Sequence, residues 1–161
     1  MIVISDASIL INLAIIKQLK LLKLLYGRVI IPDAVFNEIV VKGAGKPGAQ
    51  EIPMLDWIEV KSCQDVNMVN NLLNEIDLGE AEAITLSLEL QANLLLIDEK
   101  LGRQKAKEFN VKTIGLLGIL LDAKYQGVVP SVTQMMDWLR LEANFRIGET
   151  LYQQVKQLAG E

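Results

Sequence analysis

Residues 2–6 read Ile2-Val3-Ile4-Ser5-Asp6, and residues 94–98 read Leu94-Leu95-Leu96-Ile97-Asp98. Short runs that are apolar throughout are typical of strands buried on both faces of a parallel sheet. Ligands of such sheets bind just beyond the carboxyl ends of the strands. Both runs end in an aspartate, so Asp6 and Asp98 are predicted to lie at one edge of one sheet, in a shared charged site.

Strands and helices are predicted to alternate along the rest of the chain. The predicted strands are 2–5, 28–31, 58–61, 94–97 and 111–114, and the helical stretches between them include 7–16, 19–26, 65–76 and 80–91. This alternation predicts an α/β fold with a central, mainly parallel sheet of about five strands and helices on both faces. With 161 residues, we expect one domain over 1–161, in which the helices of 130–161 form a C-terminal extension.

The composition excludes several kinds of active site. The chain has no histidine, which excludes a Ser-His-Asp triad, a histidine base and a histidine-ligated zinc. Its one cysteine, Cys63, cannot form an internal disulfide, which favours a reducing compartment. No apolar run approaches the ~20 residues that span a bilayer. We therefore expect a cytoplasmic protein that is not inserted in a membrane.

The net charge of −4 also limits how nucleic acid could bind. Proteins that bind nucleic acid through overall charge are usually basic. Any such role here requires local basic clusters or a bound divalent cation.

Asp6, Asp98 and Glu38 each have an ordinary alternative to a ligand role. Each aspartate comes between a strand and a helix, where it could equally serve as an N-cap. Glu38 follows Ala34 and Val35 at helical spacing, which predicts that it lies on the side of the helix facing the sheet. A glutamate there must be paired, bind a metal or extend outward to solvent.

Glu80 and Glu82 are separated by helical periodicity. Glu80 shares a face with Ile84 and is predicted to point inward, whereas Glu82 is predicted to face water. The alternative for Glu80 is a capping box with Asp77, three residues earlier.

Together these positions bring four carboxylates from four elements toward one end of the sheet. Two bare carboxylates about 4 Å apart repel by roughly 4 kcal/mol at an effective dielectric near 20. Such a cluster needs a cation, and oxygen ligands alone suit Mg²⁺ or Mn²⁺.

The pattern resembles the PIN-domain family, and most closely its VapC-like bacterial and archaeal branch. Asp6-Ala7-Ser8 resembles the family's Asp-x-Ser/Thr motif, and Glu38, Glu80 and Asp98 follow in the family's order over residues 1 to about 118. The third acid is glutamate where many members have aspartate.

The resemblance implies a three-layer sandwich and a metal-dependent ribonuclease. In that function Asp6, Glu38, Glu80 and Asp98 would hold one or two Mg²⁺ or Mn²⁺ ions that activate the attacking water. The products would carry a 5′-phosphate and a 3′-hydroxyl.

Other residues are assigned supporting roles on the same basis. Ser8, Glu82 and Glu99 are candidate supporting residues, and Glu82 is an alternative third ligand. Lys100 and Arg103 are candidates for contact with a substrate phosphate, although their spacing also fits a solvated helix face.

The resemblance further implies an RNA substrate, a small antitoxin as partner if the protein is a toxin, and a homodimer. Two other readings are a PIN-like fold kept as a non-catalytic binding or regulatory module, and, less favoured, a receiver-type phosphoacceptor domain. The receiver domain requires an acidic pair at the end of the first strand, where Ser5-Asp6 supplies one acid.

Overall fold

A computed structural model describes residues 1–161 and contains one five-stranded sheet in which every neighbouring pair is parallel. The spatial order is β3-β2-β1-β4-β5. The strands are β1 Val3–Ser5, β2 Val29–Pro32, β3 Ile58–Lys61, β4 Leu94–Leu96 and β5 Thr113–Ile114. The predicted α/β class is therefore confirmed, and the sheet is parallel throughout.

Apolar residues fill these strands because both faces of the sheet are covered. Ile4, Ile30 and Leu95 pack into a core of 12 buried residues on one face. Their neighbours along the strands, such as Val3 and Leu96, join a core of 30 buried residues on the other. Side chains alternate between faces along a strand, so both alternating positions must be apolar.

Helices on both faces complete a three-layer sandwich. The 12-residue core includes residues of α4, α5 and α6, and the larger core those of α1, α2, α3 and the C-terminal helices α7, α8 and α9. The helices are α1 Ala7–Ile15, α2 Lys20–Tyr26, α3 Asp33–Phe36, α4 Val66–Leu72, α5 Leu78–Glu89, α6 Lys100–Glu108, α7 Leu116–Tyr125, α8 Val132–Glu142 and α9 Glu149–Leu158. None of them is both long and apolar enough to cross a membrane.

The strand order reverses between β1 and β4. The chain moves outward from β1 to β2 and β3, and then crosses to the other side of β1 to form β4 and β5. In open parallel sheets, ligands bind at such a switch point, outside the carboxyl ends of the strands. Asp6 follows β1 and Asp98 lies two residues beyond β4, so both flank this point.

Several local predictions differ from the structure. The strand predicted at 111–114 is shorter in the structure and comprises only Thr113–Ile114. The helix predicted at 65–76 ends at Leu72, and its apolar residues Val66 and Leu73 are exposed. The helix after Pro32 changes its winding, because α3 continues as a π-helical turn, Asn37–Lys42.

Candidate active site

Asp6 is a buried carboxylate that caps a helix and also faces a small cleft. Its Oδ1 accepts a hydrogen bond of 3.0 Å from the Ile9 amide, so it is the N-cap of α1. Its own amide donates to the Leu96 carbonyl at 2.9 Å, which ties it to β4. Only 3% of the residue is exposed. The cap and the cleft carboxylate are therefore one group, and the two alternatives are compatible.

Burial raises the pKa of Asp6 to about 7. The amides of Ile9 and Asp98 hydrogen-bond the carboxylate and oppose this change, while the negative charges of Asp98 and Asp77 add to it. Desolvation disfavours the charged form, and no cation of the chain offsets it.

Glu80 is the second buried acid, and one of its oxygens has no partner. The residue is 9% exposed, and Oε2 is fully buried without a hydrogen bond. Asp77 Oδ1 accepts a 2.8 Å hydrogen bond from the Glu80 amide, but the Glu80 carboxylate makes no return bond to the Asp77 amide. The capping box is thus only half formed, and capping does not explain where the Glu80 side chain points.

Helix α6 approaches Glu80 closely because residue 102 is glycine. A Cβ at Gly102 would collide with Glu80 Oε2 and would lie 2.7 Å from Ile97 Cδ1. Burial raises the pKa of Glu80 well above its usual range, and the neighbouring Asp77 side chain, followed by the charges of Asp6 and Glu99, raises it further.

These side chains line a cleft of about 80 Å³, here called the carboxylate cleft. Five of its eight lining residues are acidic and none is basic: Asp6, Ala7, Ser8, Glu38, Asp77, Gly79, Glu80 and Glu99. Ser8 is exposed at its rim, where Oγ accepts a 3.4 Å hydrogen bond from Asn12. Of the residues predicted from the sequence, the structure brings Asp6, Glu38 and Glu80 to one cleft, together with Ser8 and Glu99.

Glu38 reaches the cleft from the solvent side. The prediction that it lies on the sheet-facing side of its helix is wrong, because Glu38 is exposed and Ile39 takes the buried position. Ile39 follows Val35 at a spacing of four residues, so these two side chains share the buried face, and Glu38 lies beside it. Partial loss of hydration in the cleft and the charge of Asp77 raise the pKa of Glu38, while Lys42 opposes them.

Asp98 lies beside the cleft and does not line it. Its Oδ1 accepts a 2.9 Å hydrogen bond from the Leu116 amide, so it serves the N-terminus of α7. The backbone amide of Asp98 stabilises the charged form of the Asp6 carboxylate. Asp98 therefore lies at the predicted edge of the sheet. Its carboxylate binds the start of α7, whereas the predicted N-cap would have bound the start of the next helix, α6.

Asp77 takes the place in the cleft that was expected for Asp98. The sequence predicted Asp77 only as a helix cap. The signal that could have identified it is its order in the chain, since an N-cap aspartate three residues before an inward glutamate presents both acids at the same end of one helix.

Helical periodicity predicted that Glu82 faces water, and this prediction is wrong. Glu82 is half-buried, and its Oε1 accepts a 3.0 Å hydrogen bond from the Ala34 amide at the start of α3. The Cys63 thiol donates to the Glu82 carbonyl at 3.2 Å. Glu82 thus links α5 to α3 and lies outside the carboxylate cleft.

Lys100 and Arg103 are exposed on α6, and neither forms an ion pair within 4.0 Å or lines the cleft. Arg103 Nη1 and Asp98 Oδ1 instead flank Gly115, where an added Cβ would lie 2.8 Å and 2.9 Å from them. Both cations are free to contact a ligand, but on the α6 side of Asp98.

The family model of DUF3368, described as a PIN domain, matches residues 2–161. The chain belongs to the PIN-domain family. No curated protein matches it. PIN domains are generally nucleases and typically use divalent metals, so the family connects the carboxylate cleft with this chemistry.

The donor set of this PIN domain has the chemistry that a divalent cation requires. The unpartnered buried Oε2 of Glu80 fits Mg²⁺ or Mn²⁺, and so do the polar side chains of the cleft, which are five carboxylates and the Ser8 hydroxyl. No group of three or more acidic side chains is already closed around a common point. The residues fit the ion in chemical type, and their carboxylates must close on it when it binds.

Proposed function

We propose that this PIN domain is a metal-dependent endoribonuclease whose active site is the carboxylate cleft. The observation that carries the proposal is the unpartnered oxygen of Glu80, buried beside the buried Asp6 in a cleft with no basic lining residue. A buried carboxylate oxygen without a partner is costly, and a protein retains one where a ligand supplies the opposite charge.

Some residues of the cleft would bind the metal ion, and others would position those ligands. Asp6, Glu80 and Asp77 would hold Mg²⁺ or Mn²⁺, and Glu38 and Glu99 would complete the set from the rim. When bound, the ion supplies a nucleophilic water at neutral pH and neutralises charge that builds on the phosphate.

Asp98 would act as a positioning residue. Its amide and that of Ile9 fix the Asp6 carboxylate, so Asp6 is preorganised on rigid backbone. Its carboxylate orients the start of α7 through the Leu116 amide.

RNA cleavage tests the proposal directly. Wild-type protein with Mn²⁺ is expected to cut a panel of RNAs and leave 5′-phosphates. Asp6→Asn and Glu80→Gln, which keep the shape of each side chain, should each lower the rate by at least a hundredfold. Glu142→Gln is the charge-matched control, because Glu142 is exposed at the end of α8, forms no ion pair within 4.0 Å and does not line the cleft. Equal activity in all four proteins would exclude the cleft as the active site.

A second candidate is a non-catalytic binding module, and the absence of a closed ligand set favours it. Calorimetric titration with Mn²⁺ separates the two, because a module that has lost the metal shows no binding that depends on Asp6 and Glu80. The toxin role, an antitoxin and a homodimer stay predictions of the resemblance. Growth arrest on overexpression, relieved by Asp6→Asn, would support the first of these.

A further inference from the structure

Two further cavities extend from the carboxylate cleft along α1. The first, of about 460 Å³, shares Glu38 with the cleft and is lined by Lys42 and Lys46. The second, of about 770 Å³, shares Ile15 and Pro47 with the first. Together they form a continuous surface, here called the lysine groove, that starts at Glu38 and runs beside α1, a helix about 13 Å long.

The groove concentrates free positive charge on an acidic protein. Five of the 16 basic residues line it, all of them exposed and none in an ion pair within 4.0 Å: Lys17, Lys20, Lys23, Lys42 and Lys46. Besides Glu38, its only acid is Glu51, which is held by a 2.6 Å hydrogen bond from the Gly48 amide. The charge of the groove is therefore opposite to that of the cleft and of the whole chain.

The groove combines apolar and cationic lining residues. Ile11 and Ile39 line the first cavity together with Lys42 and Lys46, and Leu55 and Trp57 line the second together with Lys17, Lys20 and Lys23. A single-stranded nucleic acid has the matching character, since its bases have apolar faces and its phosphates are anionic.

We propose that the lysine groove binds the single-stranded RNA substrate on one side of the scissile bond, with Lys42 and Lys46 contacting the phosphates nearest the cleft. This inference rests on the proposed function, and it differs from the sequence prediction, which assigned phosphate contact to Lys100 and Arg103. Neither of those residues lines a cavity joined to the cleft.

The turn that carries Lys46 is ordered by its own hydrogen bonds. The Lys46 amide donates to the Gly43 carbonyl at 2.9 Å, and the Ala49 amide donates to the Lys46 carbonyl at 3.2 Å. Lys42 ends the π-helical turn that carries Glu38. One segment therefore presents a cleft acid and two groove cations in a fixed order.

The test measures binding separately from cleavage. Fluorescence anisotropy with a labelled 12-nucleotide oligouridylate, in EDTA, follows affinity from 50 to 200 mM salt without hydrolysis. Each lost phosphate contact lowers the slope of log K against log salt by about 0.7 for a single strand. Lys42→Ala/Lys46→Ala is therefore expected to lower the slope by about 1.4, so that affinity changes about sevenfold less over this range.

The control removes the same charge elsewhere. Lys112→Ala/Arg146→Ala alters two exposed, unpaired cations outside the groove and should leave the slope unchanged. In the cleavage assay, the groove variant should raise KM with kcat unchanged.

Four results would overturn the proposal. They are an unchanged slope, no RNA binding, a slope that falls only in Lys100→Ala/Arg103→Ala, and competition by a polyglutamate peptide as strong as that by RNA. If Lys42→Ala/Lys46→Ala binds RNA like wild type and still cleaves it, the proposed role of the groove is refuted and the proposed nuclease activity is not. Groove-dependent binding without any Mn²⁺-dependent cleavage would refute the nuclease alone.

Discussion

Replacing Asp6 by asparagine should stabilise the metal-free protein, and the gain should grow with pH. Asparagine caps a helix as well as aspartate does, so the bond from the Ile9 amide can be kept while the charge is removed. The ordinary pKa of aspartate is near 3.9, and in the folded protein burial raises that of Asp6 to about 7.

The sign and size of the effect follow from linkage. Between pH 4 and pH 7 the folded state binds more protons at Asp6 than the unfolded state, so wild-type stability falls as pH rises through this window. The penalty that asparagine removes is about 1.5 kcal/mol at pH 5 and about 4 kcal/mol at pH 8.5, as an upper estimate.

Urea unfolding in EDTA at pH 5, 7 and 8.5 measures this difference. Asp56→Asn is the control, because it removes the same charge from an exposed site at the far edge of the sheet. If the free energies of unfolding of Asp6→Asn and wild type differ by less than about 0.5 kcal/mol at pH 8.5, the buried charge of Asp6 does not destabilise the folded state. The argument for a counterion then fails.

Three further predictions concern the surroundings of the cleft. Gly102→Ala should lower Tm and weaken Mn²⁺ binding, because its Cβ would displace the Glu80 carboxylate, whereas Gly148→Ala has open space and should leave Mn²⁺ binding unchanged in calorimetry. Glu82→Ala should cost about 1–3 kcal/mol in urea unfolding by leaving the Ala34 amide unpaired, with Mn²⁺ affinity within twofold of wild type. Mn²⁺ affinity should rise from pH 6 to pH 8, because protons compete with the ion for the two buried carboxyls of the cleft; a calorimetric affinity that is flat or falls with pH would contradict this.

The sheet and the inward direction of Glu80 were predictable from local patterns. The runs at 2–6 and 94–98 are apolar at every position, which requires two covered faces and fixes the carboxyl edge where Asp6 emerges. Helical periodicity placed Glu80 on the same face as Ile84, and both residues are buried.

Most of the remaining features depend on contacts between distant segments. Glu38 was assigned to the wrong side of its helix because Ala34 and Val35 were taken as the buried face, whereas Val35 and Ile39 form it. Asp98 was expected in the cleft, but the amide at the start of α7 binds its carboxylate, and this helix lies 18 residues further along the chain. Glu82 was assigned to solvent because periodicity cannot show that the start of α3 lies against α5.

The most direct test of the central claim is the anomalous difference map of a crystal soaked in Mn²⁺ at pH 8. We predict a peak in the carboxylate cleft, with oxygens of Asp6 and Glu80 in contact with the ion. A map without a peak there, in crystals that diffract well enough to show ordered water, would contradict the account.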